Sequence, residues 1–468
     1  MSWSETALPV RMKRVAIVAP DEVLRATLVR LADVGCVEID RVGPTPESVR
    51  GSAARRLQRL RTDPAAASLS ATAPDLDALE RDGAADLLAG EAQLEERVAC
   101  AVRRGTVRAL AGWCPADRVA EAAERLAGLG SVLLPVPAPR GVDPPTLLRG
   151  GGPVRRSFVP LVRTYGTVPY ADVDPTWPAG IAYVVMFGMM FGDAGHGGLL
   201  LLAAVLLRLG RPRLLAPLRA LWPFVAGAGL TSVLFGVAYG EFFGPTKALP
   251  VLWLAPLDRP EPLLAAAVGF GAVLLSVAYG VGIVNRWREG GPARALYASS
   301  GVAGAAVFLG FAVVAAGGYL HRPVLLLTGA VIVAAGLVAA AAGLYTATAG
   351  GASGAVQTGI QLFDTVVRIF SNTVSFARLA AFGLTHAALG DIVWQGVAAL
   401  AHRGPVALVA AVLVFVVGNA LAFALEVLVA GVQALRLEFY ELFSRVFEAQ
   451  GRPFDPWHVP TRHPEVAP

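Results

Sequence analysis

The sequence predicts a soluble α+β domain followed by an all-α polytopic membrane domain of about eight segments, the last two long. Three observations predict this division. The chain is 55% hydrophobic and 16% charged, with a mean hydropathy of +0.57, which is too apolar for a soluble globular protein. Most of the charge precedes residue 178, and long uncharged runs begin at Ile181. Those runs reach the roughly 20 residues that a helix needs to cross a bilayer.

We therefore divide the chain into four segments: a soluble domain over 1–150, a linker over 151–178, a membrane domain over 179–446 and a tail over 447–468. The first residues lack a long apolar core with a small-residue cleavage site, so we expect the soluble domain to stay in the cytoplasm. The end of the tail, 458–468, is polar and contains proline, which predicts disorder.

Two strand–helix–strand units are expected in the soluble domain, one over 14–39 and one over 106–136. Two units of this size favour a split βαβ, ferredoxin-like lobe. The intervening residues 49–104 are rich in Ala, Leu, Arg and Glu. They predict a short helical hairpin that is broken near Gly83 and Gly90.

Several functional classes are disfavoured by the composition. The chain has no GxxxxGK[ST] loop and no GxGxxG after a strand, so no nucleotide site is predicted. The three cysteines lack metal-ligand spacing and are interpreted as reduced thiols. The net charge of +5 fits arginines beside membrane spans better than nucleic-acid binding. No cofactor and no metal are predicted.

Six apolar runs are long enough to span a bilayer. They cover 220–240, 263–285, 298–320, 323–346, 374–400 and 405–434.

A seventh apolar stretch, 181–207, is interrupted by a motif that contains Gly192, Asp193, Gly195 and His196. Glycine has little helix propensity and opens the backbone. Arginine-rich loops on both sides of the next two spans favour the cytoplasm, as does the soluble domain, so this stretch would cross twice or dip in and return. That hairpin gives eight membrane segments with both termini cytoplasmic. The alternative is one long span with the Asp and the His buried inside it.

The last two long helices each carry a line of polar residues in an apolar surface. On the first helix, Ser371, Arg378 and Thr385 recur every seven residues. Further polar residues complete the two lines: Ser375 and His386 on that helix, and Asn419, Glu426, Gln433 and Arg436 on the last. Ionisable residues inside a bilayer are costly and are usually functional, so both lines should face protein or water.

Arg378 keeps its charge at every accessible pH, so it could stabilise the anionic form of a carboxylate on a moving partner. His386 and Glu426 could exchange protons beside it. Other interpretations stay open. Arg378 could reach out from a helix end or form a structural pair with Glu426, and His386 could serve packing alone. Asn419 and Gln433 favour hydrogen bonds between helices.

Tyr239 and Glu241, which end the run FGVAYGEFFG, are expected in the belt of residues at the membrane surface.

Several blocks resemble the subunit a family of V-type and A-type ATPases, also called subunit I. The most specific is MFGMMFGDAGHG (186–197). FVPLVRTYGTVPYADVDPT (158–176), FGVAYGEFFG (235–244), SNTVSFARLAAFGLTHAAL (371–389) and ALRLEFYELF (434–443) are also similar to family blocks. The blocks occur in the family's order and cover most of residues 10–457.

The resemblance implies a stator subunit in the membrane sector of a rotary ATPase. Arg378 would face the proteolipid (c/K) ring, and His386, Glu426 and Arg436 would line half-channels for H⁺ or Na⁺. The implied partners are that ring, peripheral stalk subunits, membrane lipid and, indirectly, the V1/A1 ATPase head, with no nucleic acid. ATP chemistry would belong to other subunits, so the chain itself would not be an enzyme. The segment between the two βαβ units is shorter than the family's long helical arm, which implies a reduced or different contact with the stalk.

Two other functions stay open. A stand-alone secondary transporter would use the FGDAGHGG break (191–198) as its substrate site, although no inverted repeat is evident. A membrane anchor would hold its buried charges as structural pairs only.

Overall fold

The computed structural model describes residues 8–40 and 51–462, except 65, 140, 212, 299, 347, 349 and 449. The chain divides into two compact units. The α/β unit holds residues 9–149 together with the segment from Gly451, and the helical unit holds 150–450. The predicted order, an α/β region followed by a helical region, is confirmed.

The α/β unit is built on one antiparallel sheet with helices between its strands. Its elements are β1 (Met12–Pro20), α1 (Leu24–Val34), β2 (Glu38–Ile39), α2 (Ser52–Leu60), β3 (Leu69–Ser70), α3 (Leu76–Arg81), α4 (Ala85–Ala99), β4 (Val102–Arg104), β5 (Val107–Pro115), α5 (Val119–Leu126) and β6 (Val132–Pro135).

The strand order of this sheet is β2-β5-β1-β6, with β4 added against β5. In register, Ile17 of β1 lies between Leu110 of β5 and Leu133 of β6. Along β1 the buried residues alternate, at Val15, Ile17 and Ala19, because successive side chains of a strand point to opposite faces. The buried face packs with α1 and α5 into one hydrophobic core.

The predicted helical hairpin between the two βαβ segments differs from the structure, in which the described residues form three helices, α2, α3 and α4, with the strands β3 and β4. Gly83 has φ of 68° and separates α3 from α4, as expected of a break. Gly90 lies inside α4, so the predicted break there is wrong. A side chain at Gly90 would put its Cβ 1.9 Å from the carbonyl oxygen of Ser68, so this glycine lets β3 approach the helix. Residues 49 and 50 of the predicted hairpin lie outside the described residues.

The C-terminal segment belongs to the α/β unit. Trp457 and Val459 are buried in its core, and β7 (Thr461–Arg462) pairs in parallel with β3. The Trp457 indole N–H donates to the Gln93 Oε1 at 3.1 Å. The predicted disorder is therefore wrong for 458–462, because two apolar side chains anchor this polar stretch. Residues 463–468 lie outside the described part of the chain.

The helical unit begins with the amphipathic helix α6 (Pro153–Tyr165). Its remaining elements are α7 (Thr176–Met190), α8 (Ala194–Leu209), a 3-10 segment (Arg213–Leu221), α9 (Trp222–Tyr239), α10 (Pro260–Tyr297), α11 (Val302–Tyr319), α12 (Pro323–Thr346), α13 (Gly351–Ser375), α14 (Ala377–Ala401), α15 (Pro405–Leu437), a π-helical turn (Glu438–Phe443) and α16 (Ser444–Val446).

Six helical segments among the described residues are long and apolar enough to cross a membrane. They are Arg213–Tyr239, Pro260–Tyr297, Val302–Tyr319, Pro323–Thr346, Gly351–Ala401 and Pro405–Val446. Each predicted run falls on one of them. α7 and α8 are shorter apolar helices.

The stretch 181–207 reverses direction between α7 and α8. Near the start of the stretch, the ring of Tyr183 lies 4.9 Å from that of Phe224. Beyond its end, the guanidinium carbon of Arg208 lies 5.0 Å from the ring centre of Trp222. Both ends of the stretch thus meet the beginning of α9, which a single straight helix could not do.

Candidate functional site

The polar residues on α14 and α15, with Ser375 at the end of α13, meet at two levels because α14 and α15 run antiparallel. At one level His386 is hydrogen-bonded to Glu426. At the other level Arg378 lies near enough to Arg436 for their like charges to repel each other. His386 follows Arg378 by eight residues, which is about 12 Å along a helix axis. We name the two levels the His386 cluster, with Asp193, His196, Glu241, His386 and Glu426, and the Arg378 cluster, with Ser375, Arg378, Arg436 and Glu441.

Asp193 anchors the His386 cluster. It is fully buried and is the N-cap of α8. Its carboxylate accepts three backbone N–H bonds: from His196 at 2.8 Å and Phe243 at 3.0 Å on Oδ1, and from Gly244 at 2.7 Å on Oδ2. A helix N-terminus favours a negative group, and the three bonds supply the donors that a buried carboxylate needs.

The glycines of the same motif give close contact with neighbouring aromatic rings. A Cβ on Gly192 would lie 2.5 Å from the ring of Tyr239, and one on Gly195 would lie 2.5 Å from the ring of Phe243. Only residues without a side chain fit at these two positions, so the motif lets the chain that follows α9 close over Asp193.

Two histidines face this carboxylate. His386 Nδ1 is hydrogen-bonded to Glu426, and its Nε2 lies 3.9 Å from Asp193 Oδ2 and 3.9 Å from Glu241 Oε2. His196 Nδ1 lies 3.8 Å from Asp193 Oδ1. Neither ring nitrogen of His196 has a hydrogen-bond partner within the described part of the chain. Four elements thus bring five ionisable groups together in a buried space.

Tyr239 and Glu241 are not in a surface belt, so that prediction is wrong. Both are buried, and the Tyr239 hydroxyl donates to the Met189 carbonyl at 3.4 Å. α9 ends at Gly240 with φ of 77°, and the chain then turns inward, where the Glu241 carbonyl accepts a bond from the N–H of Ala194. Sequence reasoning missed Glu241 as a site residue, although an acid directly after an apolar run was a usable signal.

A cavity of about 130 Å³ lies beside the His386 cluster. His386 and Glu426 contribute to its wall together with apolar residues such as Phe382 and Val429. Exposed Thr385 also lines it, and its hydroxyl donates to the Ala381 carbonyl of the same helix at 2.9 Å.

The Arg378 cluster is more open. Arg378 is the second residue of α14, after the break at Phe376, and is half-buried. The charged groups that act on it are Arg436 and Glu441, yet no carboxylate of the described residues forms a salt bridge with it. Its Nη1 atom is buried, and no described residue forms a hydrogen bond with it.

A groove of about 360 Å³ runs past Arg378 and is lined by Leu264, Ala381 and Leu384 among others. Glu426 is hydrogen-bonded to His386 at the other level. The structure therefore does not contain the structural pair of Arg378 with Glu426 that the sequence left open.

The other predicted polar residues are divided between the two levels. Asn419 is buried near His196 and donates to the Phe415 carbonyl of its own helix at 2.9 Å. Ser375 interacts with Glu441 and donates to the Ser371 carbonyl at 2.9 Å. Ser371 and Arg436 are exposed, and Gln433 is half-buried. Glu441 is buried and was not singled out from the sequence, because it lies beyond the regular spacing of seven.

Several named proteins are similar in sequence to this chain. The chain is 30% identical over 383 residues to the A-type ATP synthase subunit I of Halobacterium salinarum, covering 67% of this chain and 51% of that protein. It is 26% identical over 411 residues to the A-type ATP synthase subunit I of Aeropyrum pernix, covering 76% and 58%. With the V-type ATP synthase subunit I 2 of Treponema pallidum it shares 35% over 192 residues, 37% of this chain and 40% of that protein.

The chain spans about half the length of the curated relatives it matches. The sequence family described as the V-type ATPase 116kDa subunit family matches residues 99–245 and 354–459, which is more than half of the chain. These matched stretches include all members of both clusters. The resemblance predicted from the sequence is confirmed: the chain belongs to the V-type ATPase 116kDa subunit family.

Proposed function

We propose that this chain is the stator subunit of the membrane sector of a rotary V/A-type ATPase. It provides half-channels and an arginine that faces the proteolipid ring, for H⁺ or Na⁺ translocation coupled to ATP hydrolysis or synthesis in other subunits. The observation that carries this proposal is Arg378, a fixed cation in an apolar helical segment with no salt-bridge partner among the described residues and an open groove beside it.

In this proposal, Arg378 stabilises the ionised form of a ring carboxylate that passes through the groove. A guanidinium cannot lose its proton there, and an opposite charge nearby lowers the pKa of an acid. The carboxylate releases its ion before it reaches Arg378 and takes up another after it has passed. The arginine also separates the two half-channels.

The His386 cluster supplies one of the half-channels. Its carboxylates and imidazoles lie within reach of each other, and the neighbouring cavity of about 130 Å³ gives an ion room beside Glu426. A histidine between acidic groups is a suitable proton carrier near neutral pH.

The proposal extends to the architecture. The hairpin of α7 and α8 and the six long helical segments make eight membrane segments, with both termini on the cytoplasmic side of the cell membrane. The β2-β5-β1-β6 order supports a ferredoxin-like lobe, which would contact peripheral stalk subunits through 1–150. The lipid bilayer and the ring surround the helical unit, and the ATPase head is an indirect partner.

The test is ATP-driven ion pumping by the whole complex that carries Arg378→Ala. We expect the complex to assemble with its ring and to lose pumping. Arg322→Ala, in the exposed loop between α11 and α12, is the matched control and should pump normally. Normal pumping by Arg378→Ala would exclude the mechanism. Ion transport by the isolated chain in liposomes would instead favour the secondary transporter.

A further inference from the structure

We propose that the His386 cluster also binds a divalent transition-metal cation of the Zn²⁺ type, held by Asp193, His196 and His386 with Glu241 as a fourth donor. The cation would occupy the space through which ions pass and would block it. The block rests on the proposed function, whereas the binding site itself does not.

The donor atoms have the spacing that such a site needs. One ligand atom each from Asp193, His196 and His386 lie within 4.8 Å of one another. His386 Nε2 is 3.9 Å from the Asp193 Oδ2 and 3.9 Å from the Glu241 Oε2. Zinc binds nitrogen and oxygen at about 2.0–2.2 Å, so a cation between such donors lies close to bonding distance from both without a change of backbone.

The donors also have free lone pairs. Asp193 Oδ1 accepts two N–H bonds, whereas Oδ2 accepts one from Gly244 and keeps a position free. His196 is 2% exposed, and although the Asn419 side chain lies near the ring, neither ring nitrogen has a partner at hydrogen-bond geometry in the described residues. Buried polar atoms normally have hydrogen-bond partners, so a buried imidazole without one indicates that a ligand binds there. A metal ion would use one of its nitrogens.

The surroundings resemble the outer shell of a zinc site. The second nitrogen of His386 is hydrogen-bonded to Glu426, which fixes the ring and directs Nε2 at the cluster. Phe191 lies 5.7 Å from the His196 ring and 5.1 Å from the His386 ring, and Phe423 lies 5.7 Å from the His196 ring. These aromatic side chains limit the access of water.

The charge and the type of the donors select the class of cation. Three carboxylates, Asp193, Glu241 and Glu426, surround two imidazoles, and no Lys or Arg of the described residues forms a salt bridge with them. This excess of negative charge favours a cation. Mixed imidazole and carboxylate donors suit Zn²⁺ and Co²⁺, whereas Mg²⁺ and Ca²⁺ prefer oxygen alone.

The binding test uses Co²⁺, whose visible absorption reports tetrahedral nitrogen and oxygen ligands, on the purified complex. We expect a saturable signal that Zn²⁺ displaces. His196→Gln should weaken Co²⁺ binding about tenfold or more, and Glu241→Gln, which keeps the shape of the side chain, should also weaken it. His402→Gln, at the exposed end of α14, is the control. The absence of the signal, or unchanged binding in both cluster variants with the ring still bound, would overturn the proposal.

Pumping separates this inference from the proposed function. We expect Zn²⁺ to inhibit ATP-driven pumping of the unmodified complex and of His402→Gln at the concentration that displaces Co²⁺. Saturable Co²⁺ binding without inhibition would support the metal site and contradict the location of the cluster on the ion path. Loss of pumping in Arg378→Ala together with no Co²⁺ binding would support the proposed function and overturn the metal site.

Discussion

The Arg378 and His386 clusters share the helices α14 and α15, yet they satisfy their charges in opposite ways. Arg378 is half-buried beside an open groove and has no salt bridge to the described part of the chain. Asp193 is fully buried and accepts three backbone N–H bonds, and His386 lies between acidic groups. The Arg378 cluster therefore leaves one cation without a salt bridge, whereas the His386 cluster holds its charged groups against each other in the interior.

This difference indicates two roles for charged residues that composition alone does not distinguish. A cation without a salt-bridge partner in its own chain can attract a carboxylate of another chain, because no nearby anion neutralises its charge. Groups held in an internal network strengthen each other's hydrogen bonds and contribute to the stability of the fold. Mutations in the His386 cluster should therefore lower stability as well as pumping, whereas mutation of Arg378 should lower pumping and leave stability nearly unchanged.

The largest expected effect on stability is that of Asp193→Ala. It leaves three backbone N–H groups unpaired, two buried and that of Phe243 partly buried, at about 1–3 kcal/mol each, so the folded chain should lose about 3 kcal/mol or more. Thermal unfolding of the purified protein measures this loss. Arg378→Ala should unfold at nearly the unmodified temperature. Equal unfolding temperatures of Asp193→Ala and Arg378→Ala would contradict the proposed difference in stability between the two clusters.

Next in size is the effect of Glu426→Gln on pumping. The change keeps the shape of the side chain but removes its charge beside His386, and a hydrogen bond to a charged group contributes about 1.5–3 kcal/mol. We expect ATP-driven pumping to fall about tenfold or more, with the ring still bound. Asp391→Asn is the matched control, since this half-buried carboxylate on α14 accepts a hydrogen bond from Gln395 of the same helix and belongs to neither cluster. Full pumping by Glu426→Gln would contradict the role of the enclosed level.

Another buried acid, Asp172 in the linker before α7, contrasts with Asp193. It is fully buried, and neither oxygen receives a hydrogen bond from an N–H group of the described residues. Burial and the neighbouring Glu289 raise the pKa of Asp172 to about 7, although Arg286 and Arg288 oppose the shift.

The sign of the pH dependence follows from that shift. The unfolded chain has an Asp pKa of about 3.9, so between about pH 4 and pH 7 the folded state holds a proton that the unfolded state lacks. The free energy of unfolding should therefore fall as pH rises through this window, by about 1.4 kcal/mol per pH unit from this group. Asp172→Asn should remove that component in unfolding measurements across the window. An unchanged slope in this variant would show that another group causes it.

The smallest effect is expected for Ser371→Ala. This residue belongs to the polar line predicted from the sequence, but it is exposed, and the bond at its carbonyl does not require its side chain. Stability should change by less than about 0.5 kcal/mol, and pumping should be normal. A loss of pumping comparable to that of Glu426→Gln would mean that exposed members of the line also form part of the path.

The sequence predicted site residues where charged or titratable side chains interrupt apolar runs. Arg378, His386 and Glu426 were found because ionisable residues inside a membrane helix are expensive and rare. The regular spacing of seven did not identify Glu241 or Glu441, since each is brought in by a change of backbone direction, a turn after α9 and a π-helical turn after α15.

The α/β unit shows the same limit. The alternation of β1 predicts its buried face, but the closing strand β7 comes from a polar tail more than 300 residues after β3 in the chain. Composition describes that tail as disordered, whereas Trp457 and Val459 anchor it to the core. Long-range pairing of this kind has no local signal.

The most direct test of the central claim is an electron cryomicroscopy map of the whole complex with its ring. The account predicts that the Arg378 guanidinium points into its groove and faces a carboxylate of a neighbouring chain within about 4–6 Å. An Arg378 side chain turned into lipid headgroups, or paired with Glu441 with no neighbouring chain in the groove, would contradict it.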